Sequence, residues 1–245
     1  MVDEVEVLRW QTAQSFEQGY WNGMSVPELQ RVCADMGSFM ERSIPAHRRD
    51  DLFAGKDVLE IGCGPLGISI ASFYGGPPIR RLVKSEPLPK IDITAVPPAA
   101  PNDADFLSWM KKVSEHGEYL QSAGEGLDFS GSFDTVLTFN VLDHVHDPAT
   151  ILSNALKALR PGGHVLIGVD CRSVLGKLKF NQYTRRVSPN TTLVQAHPFT
   201  FLVSDVLRML QKAGFTAVEV YGKPSFFRGF AGGIMRPVFI GRKAL

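Results

Sequence analysis

Asp57-Val58-Leu59-Glu60-Ile61-Gly62-Cys63-Gly64-Pro65-Leu66-Gly67 is the stretch on which the reading of this chain turns. Val58 to Ile61 form a short apolar run broken by one acid, and glycines close it, which predicts a buried strand entering a tight turn. Leu66 to Phe73 reads as helical. In a strand-turn-helix of this kind Gly62 and Gly64 let the backbone approach a ligand where a Cβ would clash. A helix beginning there would add free N–H groups and a positive dipole end.

Outward from this stretch the pattern repeats. Leu82-Val83-Lys84, Tyr119 to Gln121, Phe133 to Phe139, His164 to Val169, Phe215 to Tyr221 and Val238 to Arg242 read as strands. Helical segments are expected at Asp105 to His116, Ala149 to Leu159 and Ser204 to Ala213, the last capped by Ser204 and ended by Gly214. Arg160-Pro161-Gly162-Gly163 reads as a turn, and Pro87 to Pro101 as an irregular insertion. Alternating strands and helices imply right-handed crossovers and an α/β, Rossmann-like doubly wound sheet of seven strands, the last antiparallel. Residues 1–55 are expected to form a helical cap, and residues 56–245 the main domain. Within the latter, Cys171 to Pro198 shows no clean period and reads as a lid.

With 245 residues the chain can bury a large core without staples. A formal net charge of +1 argues against a surface built to coat nucleic acid. Cys33, Cys63 and Cys171 are odd in number and far apart, so neither a disulfide framework nor a zinc site is signalled. Met1 to Trp10 lacks the charge and apolar run of a signal peptide, and no stretch is long enough to span a bilayer. The expectation is a cytoplasmic protein with no membrane or nucleic-acid partner.

Gly62-x-Gly64-x-x-Gly67 alone fits a dinucleotide site as well. Glu60 separates the two readings. A carboxylate at that strand end opposes a pyrophosphate but attracts the ammonium of an amino-acid moiety, directly or through water. That favours S-adenosylmethionine over NAD. Glu86 ends the second strand, where a carboxylate can accept both ribose hydroxyls. The alternatives are a solvated Glu60 and a surface Glu86 in the turn before Pro87.

The chain resembles the class I S-adenosylmethionine-dependent methyltransferases, especially their small-molecule branch. Four blocks within residues 57–169 carry the resemblance. They are Val58 to Gly64, Glu86 after its strand, Gln121 to Phe129 with Ser132 to Val136, and Asn140 to Ile167. The last contains His144-Val145-His146-Asp147-Pro148 and Leu159-Arg160-Pro161-Gly162-Gly163. The resemblance implies that Glu60, Gly62, Cys63 and Gly64 surround the methionine part of the cofactor and that Glu86 holds the ribose. The turn at Ala123, Gly124 and Glu125 would lie along the adenine, and Asn140 near the methionyl end. Many relatives carry Asp where this chain has Ala123, which leaves adenine recognition to Gly124, Glu125 or backbone groups.

Methyl transfer from a sulfonium requires mainly that the nucleophile be held in line. A hydroxyl acceptor also needs a base, and candidates should follow the fourth and fifth strands. His144 is the first choice, with a loop-ordering or capping role as its alternative. Asp147-Pro148 reads as a helix start. Asp170 could orient a histidine or bind substrate, with a solvated strand end as the favoured alternative, and His197 could reach the site from the lid but reads first as a loop residue fixed by Pro198. No residue spacing supports a metal. Lys177, Lys179, Arg185 and Arg186 form either a solvated face or a preference for anionic acceptors. The expected reaction is O-methylation of a small molecule or glycan, releasing S-adenosylhomocysteine. The rivals are an RNA or protein methyltransferase, an NAD-dependent oxidoreductase and a non-catalytic scaffold.

Overall fold

The computed structural model describes residues 4–98, 100, 102–186, 199–222 and 234–245. Strand β1 (Asp57–Ile61) is buried along its whole length. It lies in a seven-stranded sheet with β2 (Arg81–Glu86), β3 (Glu118–Gln121), β4 (Phe133–Phe139), β5 (Leu159–Gly168), β7 (Thr216–Tyr221) and β9 (Val238–Arg242). The order across the sheet is β3-β2-β1-β4-β5-β9-β7. Strands β1 to β5 pair in parallel, while β9 runs antiparallel to both β5 and β7. The seven strands and the reversed last one are those expected from the sequence. Chain order reverses between β1 and β4, and the carboxyl ends of these two strands open a crevice, where ligands bind in such sheets.

Alternation along β1 assigns its two faces. Leu59 and Ile61 pack with Ile151, Leu152 and Ala155 of α5 (Pro148–Ala158) and Val206 and Leu210 of α7 (Val203–Ala213). Val58 packs on the other face with Met40 and Ile44, from α2 (Val26–Ser43) and its end, and with Leu52 and Phe53 of α3 (Ala46–Phe53). Each of the larger of these side chains contributes about 1.5–3 kcal/mol when fully buried. Helix α2 starts where Pro27 predicts: the Ser25 N–H donates to Glu28 Oε2 at 2.8 Å, and the proline needs no acceptor. Preceding it is α1 (Glu4–Asn22), and α4 (Asp103–Glu115) follows the Pro-rich insertion.

Four local expectations are corrected. No α-helix follows the glycine turn. Ile70–Phe73 makes a short 3-10 helix, ended by Gly75-Gly76-Pro77-Pro78, so there is no dipole end to hold an anion. Arg160 to Gly163 is not a connecting turn but a bulge inside β5: Leu159 pairs with Phe133 and His164 with Thr135, so four residues oppose Asp134. The bulge brings Arg160 to Asp57 and Asp134, which Arg80 also bridges, at the strand ends remote from the crevice. The excursion after β5 contains β6 (Cys171–Arg172) and α6 (Val174–Arg186), while 187–198, including His197, lies outside the described residues. Helix α7 begins one residue before Ser204, and Asp205 rather than Ser204 accepts the Leu202 N–H, at 2.9 Å. Gly214 ends it as expected, at φ 102°.

Candidate active site

The glycine turn is pinned to β2. The amides of Gly62 and Cys63 both donate to the Ser85 carbonyl, at 2.8 and 3.2 Å. Gly62 (φ 76°) and Gly64 (φ 73°) adopt left-handed conformations that other residues enter at a cost. A Cβ on Gly62 would stand 2.3 Å from Val141 Cγ2. The Gly64 amide donates to Glu86 Oε2 at 3.0 Å, so the acid at the end of β2 reaches across to the turn. Cys63 is buried between them, and burial pushes its thiol well up, leaving it uncharged.

Glu60 shares a strand face with Val58 and is buried. It accepts from the Ser69 hydroxyl and, at 3.1 Å, from the Ile70 amide at the start of the 3-10 helix. Burial raises both Glu60 and Glu86 to about 7, with hydrogen bonds opposing the shift. A carboxyl raised in the folded state stabilises the fold below its unfolded value and loses that contribution as pH rises through the folded one. The protein without ligand should therefore melt at a lower temperature at pH 8 than at pH 5.5. A cationic ligand needs the ionised acids, so its affinity should rise over the same interval, by roughly thirtyfold for each acid that must be ionised. Titrations at the two pH values check this, and equal affinities would contradict it.

Beside β1, the turn Gly124–Gly126 is locked from α5: Asn154 Nδ2 donates to the carbonyls of Gly124 and Glu125, at 3.0 and 2.9 Å. Gly124 is closely packed, with Ile61 and Ile151 filling the place of a Cβ. Glu125 accepts from the amides of His146 and Asp147.

Strand β4 ends at Phe139, and Asn140 turns the chain with φ 56°, its amide donating to the Gly168 carbonyl at 2.7 Å. Non-glycine residues in this region concentrate at functional sites. His144 lies four residues on. Its Nδ1 is 3.5 Å from Glu17 Oε1 of α1, and its Nε2 is 3.6 Å from Asp143 Oδ2. Glu17 also accepts from Trp21 Nε1 at 3.1 Å, and the Trp21 ring lies over Gly64. Asp170 follows β5 and pairs with Arg236 at 3.0 Å, just beyond β8 (Ile234–Met235). Lys177 of the basic set is bound to Asp205 at 2.9 Å. Among the described residues, no group of three or more His, Cys, Asp or Glu could hold a metal ion.

One cavity of about 620 Å³ joins these parts. Its walls include Glu60, Gly62, Cys63, Gly64 and Glu86 over β1 and β2, and Gly124, Glu125, Asn140 and His144 nearer β4. Every residue singled out from the sequence for the cofactor, together with His144, thus lines one space, of a size that holds a small ligand. Glu17, Asp35, Glu60, Glu86, Glu125 and Asp170 line it against Arg236 and His144. That surplus of acids opposes a pyrophosphate and suits a cationic ligand. Phe39 and Phe139, edge to face at 5.3 Å, form an apolar wall together with Met36. Glu17 and Arg236 were not found from the sequence, because each reaches the cavity from a distant element.

The fold is that of the S-adenosylmethionine-dependent methyltransferases. A family model described as a methyltransferase domain matches residues 31–220, and the chain belongs to that family. The chain is 26% identical over 174 residues to a ubiquinone biosynthesis O-methyltransferase of Cupriavidus pinatubonensis, a match covering 69% of this chain and 64% of that protein. A protein of the same name from Acinetobacter baumannii is 28% identical over 176 residues, with 69% and 67% covered. Among solved structures, a SAM-dependent methyltransferase of Thermotoga maritima superposes with TM-score 0.54 at 17% identity, over 96% of this chain and 99% of that one. A Haemonchus contortus N-methyltransferase solved with S-adenosylhomocysteine gives 0.53 at 15%, over 81% and 51%. These superpositions establish a shared fold. Among the described residues no helix is long and apolar enough to cross a membrane.

Proposed function

We propose that this protein transfers the methyl group of S-adenosylmethionine to a hydroxyl of a small molecule or glycan, with His144 as the base. The observation that carries the reading is the single cavity joining the glycine turn and Glu86 to His144. The O-methyltransferase relatives support a hydroxyl acceptor. The acid-lined cleft fits the cofactor's positive charge, and the cradle at Gly62 leaves no room for a side chain.

In this reading Glu86 holds the ribose, Glu60 lies toward the ammonium, and the backbone of Ala123 and Gly124 lies along the adenine. When bound, S-adenosylmethionine supplies an electrophilic methyl on a sulfonium, a good leaving group. The chain's own task is to hold the acceptor in line and take its proton. His144 receives that proton, with Glu17 and Asp143 on either side of its ring. Phe39 and Phe139 offer an apolar face to the acceptor. Helix α1 closes this end of the cavity through Glu17 and Trp21, as a cap over residues that hold the cofactor.

Incubation with S-adenosylmethionine and a panel of phenols, catechols, sugars and amines, read by mass spectrometry, tests the reaction. Methylation on oxygen is expected, and exclusive methylation of nitrogen acceptors would reject the assignment. The cap has its own test. Trp21 lies on the glycine turn, so titration with S-adenosylhomocysteine should change tryptophan fluorescence, and Trp21→Phe should remove most of that change. A signal that survives the substitution would place the effect elsewhere.

A further inference from the structure

Glu125 stands where the sequence suggests an adenine contact, yet its carboxylate is engaged elsewhere. Oε1 accepts from the backbone amides of His146 and Asp147, at 3.0 and 3.1 Å. Those residues close the loop that carries His144. The loop's other end is fixed where the Asn140 amide meets the Gly168 carbonyl, and a tight turn between them has the His144 amide donating to the Val141 carbonyl at 2.8 Å. Beyond it, Asp147 caps α5 by accepting from the Ala149 amide at 2.9 Å and the Thr150 hydroxyl at 2.6 Å. Two amides in succession before a proline have no helical carbonyl to bond, and Glu125 satisfies both.

The carboxylate is itself held on a rigid base. Asn154 fixes the carbonyls of Gly124 and Glu125, and Ile61 and Ile151 close on Gly124. Hydrogen bonds to an ionised acceptor are about twice as strong as neutral ones, and strength falls off with misplacement. A fixed anion of this kind sets the height of the loop over the sheet.

We infer that Glu125 is a positioning residue, which locks the loop bearing His144 to the turn beside the adenine half of the cleft. The inference rests on the reading of His144 as the base. It makes the cofactor turn and the base loop one hydrogen-bonded unit. Adenine recognition then belongs to the turn's backbone, and the Glu125 side chain serves the chemistry through His144.

The test uses the full chain with S-adenosylhomocysteine. Amide hydrogen exchange is read by NMR at single residues in the wild type, Glu125→Ala and Glu125→Gln, with ligand affinity measured by calorimetry. In Glu125→Ala the amides of His146 and Asp147 should exchange at least about tenfold faster, while affinity stays within about threefold, as loss of a local hydrogen-bond anchor implies. Glu125→Gln keeps an acceptor oxygen and should restore most of the protection. Unchanged exchange in Glu125→Ala overturns the inference, whatever the affinity. So does faster exchange that spreads over all of α5 and that glutamine does not reduce. A separate failure, in which His144→Ala retains methyl transfer, would remove the base reading and leave the exchange result to decide the loop anchor on its own.

Discussion

His144→Ala is expected to lower the turnover number by about 10²–10⁴-fold, the usual contribution of a positioned general base. The affinity for S-adenosylhomocysteine should change by less than about threefold, because the ring contacts Glu17 and Asp143 rather than the glycine turn. The separation of the two effects carries the argument. Loss of turnover at unchanged affinity is what removal of an interaction made only in the reaction, and not with the bound cofactor, gives. The pH profile gives a second readout. A base must be neutral to act, so the wild-type rate should fall on the acid side, and His144→Ala should flatten that limb. Turnover within about threefold of wild type would show that the acceptor loses its proton elsewhere.

Gly62→Ala is expected to abolish measurable cofactor binding and to lower the melting temperature. Two costs combine. The left-handed backbone costs about 1–2 kcal/mol for a residue with a Cβ. The new methyl would meet Val141 at 2.3 Å, and overpacking of this kind costs about 1–3 kcal/mol. Relief of the clash moves Val141, which begins the loop to His144, so the turn and the base loop shift together. The double variant Gly62→Ala with Val141→Ala should recover part of the stability, because it removes the clash and leaves the backbone cost. Recovery of full binding in the double variant would show that the positive φ matters little. No recovery at all would show that the clash does not dominate.

Much of this site was legible in the sequence, for a physical reason. Glu60, Gly62, Gly64 and Glu86 lie at strand ends, and a parallel sheet brings consecutive strand ends to one edge without further information. Asn140 and His144 were found in the same way. The helix after the glycine turn was misread because Ile68, Ile70 and Ala71 have a helical apolar pattern, while Pro65 and the Gly75-Gly76-Pro77-Pro78 sequence limit it to one short turn. The bulge in β5 was misread because Pro161, Gly162 and Gly163 are turn residues, and only the pairing with β4 shows that the strand continues through them. Glu17 and Arg236 gave no local signal. Their roles depend on where α1 and β8 are carried by the rest of the fold, and sequence spacing does not encode a contact across 127 residues.

The central claim is that the cleft at the ends of β1, β2 and β4 holds S-adenosylmethionine, with Glu86 on the ribose. Calorimetric titration of the wild type and of Glu86→Ala with S-adenosylmethionine tests it most directly. The account predicts binding in the micromolar range, weakened by roughly tenfold or more in the variant, as loss of a charged hydrogen-bond acceptor implies. Absence of binding by a folded wild-type protein, or equal binding by both proteins, would contradict it.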